Sequence, residues 1–128
     1  MMKLIKKAGG NLVKDKDRIA VIVKACLEKK GFDIKALDIK KLTPITDYFV
    51  IVSGNSTNQV QTIADEIEEK MFEAGYEVIG KEGKESSRWI LLDYGDIIVH
   101  VFHKEDREFY DLENLWGDGE VISLDPLL

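Results

Sequence analysis

The stretch SSRWILLDYGDIIVHVF, residues 86–102, decides the fold of this 128-residue chain. Two apolar segments flank a short polar turn, and this pattern predicts a β-hairpin. If Tyr94 and Gly95 form a two-residue loop, Asp93 lies opposite Asp96, and every other cross-strand pair follows from that register. We therefore predict two antiparallel strands joined by a tight turn.

Side chains alternate along a strand, so this hairpin has two different faces. The first face is entirely aliphatic, is expected to be covered by helices, and holds Ile90, Leu92, Ile97, Val99 and Val101. The second face is mixed in character and holds Trp89, Leu91, Asp93, Asp96, Ile98, His100 and Phe102. No other segment of the chain is an evident cover for the second face. An exposed surface of this composition predicts a partner-binding site, with Trp89 as its central apolar anchor.

Helical and strand patterns alternate in the rest of the chain, in the order α, β, β, α, β, β, β, α. This order predicts one α/β (α+β) domain, in which a mixed five-stranded sheet is covered by helices mainly on one face. We expect a flexible leader at 1–14, the domain at 15–120 and a tail at 121–128. The first helix is expected to be capped by Asp15 or Asp17. The other expected elements are strands at 36–42, 48–54 and 76–80 and helices at 57–75 and 104–116.

The composition limits the classes of function. There are 24 acidic and 18 basic residues, and the net charge is −6. An acidic chain is a poor candidate for binding nucleic acid through broad phosphate neutralisation, but it suits a basic protein partner. The single cysteine, Cys26, rules out a disulfide within the chain and fits a reducing compartment. The sequence has no apolar stretch long enough to span a membrane and no signal peptide, so we expect a cytoplasmic location.

Asp93, Asp96 and His100 allow a catalytic interpretation. The two carboxylates could bind a divalent metal, but no strand carries such a pair at positions i and i+2, and turn chemistry also explains them. His100 could be a general base, yet no nucleophile lies at a triad spacing from it. We favour structural and contact roles for all three, and we expect no catalytic residue, metal or cofactor.

The segment SGNSTNQ, residues 53–59, follows a strand and opens a helix, as a phosphate-binding loop does. It lacks the glycines and the lysine of the nucleotide-binding motifs. A helix start capped by Ser56 or Thr57 is therefore the favoured interpretation.

Three segments of the chain resemble the ribosomal silencing factor family, also called Iojap-like proteins. They are DYFVIVSGNSTNQVQTIADEI (47–67), GKEGKESSRWILLDYGDIIVHVF (80–102) and REFYDLENLWGDGE (107–120), and the likeness extends from about residue 17 to residue 120. The resemblance implies a nucleotidyltransferase-like fold without catalytic activity. It also implies binding to large-subunit ribosomal protein fourteen at the face where the ribosomal subunits meet. Such binding would block subunit association and restrain translation when nutrients are short.

The resemblance also implies a contact surface on the hairpin and the last helix. The family positions correspond here to Trp89, Ile90, Asp93, Asp96, His100, Tyr110 and Glu113. Leu91 and Ile98 join them because they share the second face with Trp89. Tyr110 and Glu113 lie three residues apart, and on one helix they would share a side. Ile90 fits this set least well, because the alternation places its side chain on the core face.

Two alternatives remain open at the level of sequence. The first is a degenerate nucleotidyltransferase-like enzyme or nucleotide-binding module built from Asp93, Asp96 and the SGNSTNQ segment. The second is a homodimer that hides the same surface. For the leading interpretation we expect a protein partner on the large ribosomal subunit, little or no direct contact with nucleic acid, and no membrane.

Overall fold

The computed structural model describes residues 11–124, with side chains from residue 15 onward. Residues 1–10 of the predicted leader and residues 125–128 of the predicted tail lie outside the described residues. The elements are α1 (Asn11–Glu28), β1 (Phe32–Asp38), β2 (Tyr48–Gly54), α2 (Thr57–Glu73), β3 (Gly80–Glu82), β4 (Trp89–Asp93), β5 (Ile97–His103), α3 (Lys104–Tyr110), α4 (Leu112–Leu115) and β6 (Glu120–Ile122).

The strands form one mixed sheet in the order β3-β4-β5-β2-β1-β6. β2 and β5 are parallel, and the other neighbouring pairs of the described sheet are antiparallel. The predicted α+β class is confirmed, but the sheet has six strands rather than five. The additional strand, β6, pairs with β1 and comes from the segment expected to close the domain and form the tail.

The first sheet face is the core face. The long helices α1 and α2 pack on it through apolar stripes that repeat at helical spacing. All five aliphatic side chains assigned to this face of the hairpin are fully buried: Ile90, Leu92, Ile97, Val99 and Val101. β2 is buried along its whole length because strands flank both its edges and side chains cover both its faces.

The predicted register of the hairpin is wrong by two residues. Asp93 pairs with Ile98 and Trp89 pairs with Phe102, so the turn lies one residue later than predicted. The backbone N–H of Tyr94 donates to the carbonyl of Ile97 at 2.9 Å, which places Gly95 and Asp96 in the turn. The Asp93 carboxylate accepts a hydrogen bond of 2.7 Å from the backbone N–H of Gly95, which has a φ of +84°. This side chain–backbone bond stabilises the turn in its shifted position. Because the shift is an even number of residues, every strand side chain keeps its predicted face.

Two helix predictions are also corrected. α1 begins at Asn11, so Asp15 is not a cap; it pairs with Arg18 one turn later. The expected helix over 104–116 is divided into α3 and α4 at Asp111, whose backbone is left-handed with a φ of 48°. The cap of α2 is confirmed at Ser56, whose hydroxyl accepts from the backbone N–H of Gln59 at 3.1 Å. Among the helices described, no segment has the combination of length and apolar character that crossing a lipid bilayer requires.

Candidate partner-binding surface

The second sheet face is partly covered, and this corrects the expectation that it lacks a cover. Over the central strands it forms a small second core, in which Leu112 of α4 and Trp116 pack against buried side chains of β1, β2 and β5. The ring of Trp116 meets the ring of Phe49 edge-on at 5.4 Å between centroids. The short helices after β5 fold back over the sheet and leave the β4 side of this face only partly covered.

The partly covered region carries a continuous group of apolar side chains, which we call the aromatic patch. Trp89, Leu91 and Ile98 contribute from the strands and are partly exposed. Phe109 and Tyr110 contribute from the end of α3, with 80% and 51% of their surface exposed. The Trp89 ring lies 4.9 Å from that of Tyr110, which lies 5.1 Å from that of Phe109. Phe109 was not among the residues predicted from the sequence to contact a partner.

His100 lies beneath Trp89 and is only 4% exposed. Its Nδ1 accepts a hydrogen bond of 3.0 Å from the indole N–H of Trp89. Burial lowers the pKa of His100 to about 4, so the imidazole is neutral near pH 7. His100 was expected to hydrogen-bond across an interface, but the structure places its side chain beneath the surface, where it is bonded to Trp89.

Ile90 is the other predicted contact residue that the structure places out of reach. Its side chain is fully buried in the core beneath α1 and α2. The alternation of side chains along β4 thus predicted the location of Ile90 correctly, whereas the family resemblance implied a surface position. Trp89 and Leu91, its neighbours in the strand, point to the opposite face and remain accessible.

Asp93 and Asp96 do not form a pair. Asp93 is committed to the turn through Gly95, whereas the Asp96 carboxylate lies 3.3 Å from Arg18 of α1. Because α1 covers the first face, Asp96 points away from Trp89, and its predicted place on the second face is wrong. It lies in the turn, where strand alternation does not apply. Within the described part of the chain, no three His, Cys, Asp or Glu residues are placed to hold a metal ion.

Tyr110 and Glu113 do not share a helix side, because the break at Asp111 separates them. The Glu113 carboxylate accepts two hydrogen bonds, of 2.9 and 3.1 Å, from the guanidinium of Arg107. It also pairs with Lys35 of β1 at 3.1 Å. These interactions hold the pKa of Glu113 below its ordinary value, and hydrogen bonding to Arg107 is the largest cause. Glu113 therefore ties α4 to the sheet.

Arg107 was not found by sequence reasoning. It is 7% exposed, and it donates a third hydrogen bond, of 2.9 Å, to the hydroxyl of Ser53 on β2. A buried arginine has no signature in the apolar pattern, because its burial depends on partners that come from β2 and α4. A cavity of about 650 Å³ opens beside it at the carboxyl ends of the parallel strands. Its lining residues are Phe32, Asp33, Ser53, Lys104, Glu105, Arg107, Glu108, Asp111 and Glu113.

The alternative enzyme site does not assemble. Gly54, in the SGNSTNQ segment, pairs with His103 at one end of β5, whereas Asp93 pairs with Ile98 near the other end. Five residue steps at about 3.3 Å each separate these ends by roughly 16 Å. The carboxylates and the loop thus lie at opposite ends of the strands.

The chain matches the family model described as "Ribosomal silencing factor during starvation" over residues 13–128. It is 46% identical to the ribosomal silencing factor of Bacillus subtilis over 110 residues, which are 86% of this chain and 93% of that protein. It is 31% identical to the chloroplastic protein Iojap of Zea mays, covering 80% of this chain and 45% of that one. A crystal structure from Chromobacterium violaceum superposes with a TM-score of 0.77 at 39% identity, covering 83% of this chain and 88% of that one.

Proposed function

Because this chain belongs to the ribosomal silencing factor family, we propose that it silences ribosomes by placing its aromatic patch on the large subunit. In this proposal the docking site is large-subunit ribosomal protein fourteen, at the face where the two subunits meet. A domain seated there excludes the small subunit sterically, so no chemical step is required. The activity takes place in the cytoplasm, where subunits join, and restrains translation when nutrients are limiting.

The observation that carries this proposal is the asymmetry between the two sheet faces. Two long helices seal the first face, whereas the second leaves Trp89, Leu91 and Ile98 partly exposed beside Tyr110 and Phe109. Aromatic side chains that are rigid on one side and accessible on the other are the usual anchors of protein interfaces. Trp89 meets this description, because it is stacked on Phe102 at 4.7 Å and remains partly accessible.

Charge supplies the orientation of the complex. The net charge of −6 favours approach to a basic ribosomal protein, and such attraction raises association rates more than affinity. The carboxylates of Asp93, Asp96 and Glu113 contribute to the acidic field, although each is also engaged within the chain. In this proposal the hydroxyl of the half-exposed Tyr110 hydrogen-bonds with the partner. Direct contact with ribosomal RNA is minor in this proposal.

The test is cosedimentation of purified large subunits with variants that differ in one exposed aromatic residue. Trp89→Ala removes the anchor, and Phe72→Ala is the matched control, because Phe72 is 65% exposed on α2, over the opposite sheet face. Loss of an anchor of this kind costs about 2 to 4 kcal/mol, so we expect binding to weaken roughly 30- to 1,000-fold for Trp89→Ala. The Phe72 variant should bind as the wild type does.

Equal retention of the two variants would exclude the aromatic patch as the docking surface. Sedimentation equilibrium of the free wild type completes the test, because a homodimer that hides the patch would compete with the ribosome. In that case Trp89→Ala would shift the protein toward the monomer.

A further inference from the structure

The pair formed by Trp89 and His100 has a feature that packing alone does not explain. The imidazole of His100 lies in a group of aromatic rings: Phe49 meets it edge-on at 4.7 Å, and Phe102 stacks at 6.1 Å. Its Nδ1 accepts the indole N–H of Trp89, so the imidazole proton is carried by Nε2. Nε2 is buried, and no atom of the described residues accepts a hydrogen bond from it.

A phenylalanine would fill this position without burying an unpaired donor. The imidazole is therefore unfavourable for stability in one respect, because a buried polar group without a partner loses its hydration. Among residues 15–124, the one hydrogen bond that His100 makes through its side chain is the bond to Trp89. What the imidazole provides that a phenyl ring cannot is a fixed acceptor beneath the indole.

We propose that His100 is a positioning residue that fixes the orientation of the Trp89 indole without itself touching the partner. The indole N–H is turned into the sheet, so Trp89 presents only the carbon framework of its ring at the surface. The partner site that receives it is accordingly an apolar pocket with no acceptor for the indole N–H. This deepens the docking role, and its effect on binding rests on the proposed function.

Two ring contacts complete the positioning. The indole is stacked on Phe102 at 4.7 Å with 29° between the planes, and it meets Tyr110 at 4.9 Å with 45° between them. These contacts restrict the tilt of the ring, whereas the bond to His100 distinguishes one ring edge from the other. A side chain held in this way loses little conformational freedom on binding, so its contacts contribute more fully to affinity.

The structural half of the proposal is tested by nuclear magnetic resonance of the ¹⁵N-labelled wild type and of His100→Phe. The chain has two tryptophans, so the spectrum contains two indole N–H signals, and Trp116 is an internal control. In the wild type, the imidazole nitrogen spectrum should show His100 as the Nε2–H tautomer. In His100→Phe, the Trp89 indole signal should shift and exchange with solvent roughly tenfold faster, while the Trp116 signal stays in place.

The functional half uses large-subunit binding by His100→Phe and by the rescue variant His100→Asn. An asparagine amide oxygen lies near the position of Nδ1 and restores an acceptor. We expect His100→Phe to bind about tenfold more weakly with a melting temperature no lower than that of the wild type, and we expect His100→Asn to recover most of the affinity. A loss explained by misfolding would lower the melting temperature and displace the Trp116 signal as well.

Each contrary result has a distinct meaning. The proposed orientation of the Trp89 indole is overturned if the wild type shows His100 as the Nδ1–H tautomer, a measurement that requires no variant. It is also overturned if the Trp89 indole signal is unchanged in His100→Phe. If the Trp89 indole signal changes in His100→Phe but its affinity for large subunits does not, the positioning role of His100 is overturned. If the wild type fails to bind large subunits, the proposed function fails, and the indole signals in the same samples still decide the orientation.

Discussion

The buried imidazole predicts an acid-dependent loss of stability that a single substitution should remove. In the folded protein burial lowers the pKa of His100 to about 4 from its ordinary value of 6.5. Between pH 6.5 and about pH 4, His100 binds a proton in the unfolded chain but not in the folded chain. The free energy of unfolding therefore falls as the pH falls from 6.5 to about 4, and it is independent of this group above that window.

The magnitude follows from the size of the pKa difference. A shift of one pKa unit corresponds to 1.36 kcal/mol, so the whole window is worth about 3 kcal/mol, of which about 2 kcal/mol is lost between pH 7 and pH 4.5. The assay is urea denaturation of wild type and His100→Phe at half-unit steps from pH 7 to pH 4.5. Other titrating groups are common to both proteins and cancel in the difference.

We expect the stability of the wild type to fall by about 2 kcal/mol more than that of His100→Phe over this range. Parallel curves for the two proteins would refute the reasoning, because they would mean that His100 binds its proton equally well in the folded and unfolded states. A steeper fall in the variant would contradict the sign of the effect.

Substitutions at three further positions test how local features of the fold are stabilised, and urea denaturation is the measurement for each. Glu113→Gln should cost about 1 to 2 kcal/mol, because the buried guanidinium of Arg107 loses its carboxylate partner; an unchanged stability would show that this ion pair is not needed. Asp111→Val should cost about 1 to 2 kcal/mol because a β-branched residue resists the left-handed backbone, whereas Asp111→Gly should cost nothing; equal costs would argue against strain there. Gly83→Ala should cost roughly 2 kcal/mol or more, since its φ is +87° and an added Cβ would lie 1.9 Å from the carbonyl oxygen of Trp89; a neutral result would mean that this turn moves freely.

The two faces of the hairpin could be predicted from the sequence, although its register could not. Alternation depends only on the parity of the pairing, so an error of two residues left Trp89 and His100 on the correct face. The register depends on which residues form the turn, and the hydrogen bond from the backbone N–H of Gly95 to the Asp93 carboxylate stabilises the turn at Gly95 and Asp96. Hydrophobic pattern carries no information about that bond.

The C-terminal third was predicted less well because its structure depends on distant partners. β6 has three residues, too few for a strand pattern, and it is ordered by pairing with β1. The break at Asp111 is not marked by glycine or proline, and the segment after it is held by the bonds of Arg107 to Glu113 and Ser53. The pairing of β6 with β1 and the bond from Arg107 to Ser53 join residues far apart in the chain, so local sequence could not indicate them.

The extent to which each predicted contact residue is buried could also not be predicted from the sequence. Alternation correctly placed Ile90 inside, but it could not show that His100, which shares a face with Trp89, lies beneath the other rings. That depends on where α3 and α4 fold back over the sheet. The same fold-back leaves Phe109 and Tyr110 at the edge of the patch, where the sequence predicted one continuous helix.

The central claim is that an accessible aromatic patch lets this domain exclude the small ribosomal subunit. The most direct measurement is light scattering as purified subunits join, in the presence of wild type, Trp89→Ala or Phe72→Ala. We expect the wild type and Phe72→Ala to prevent joining at equal concentrations, and Trp89→Ala to require at least tenfold more protein. If the wild type leaves subunit joining unchanged, or if Trp89→Ala blocks it as well as the wild type does, the account is contradicted.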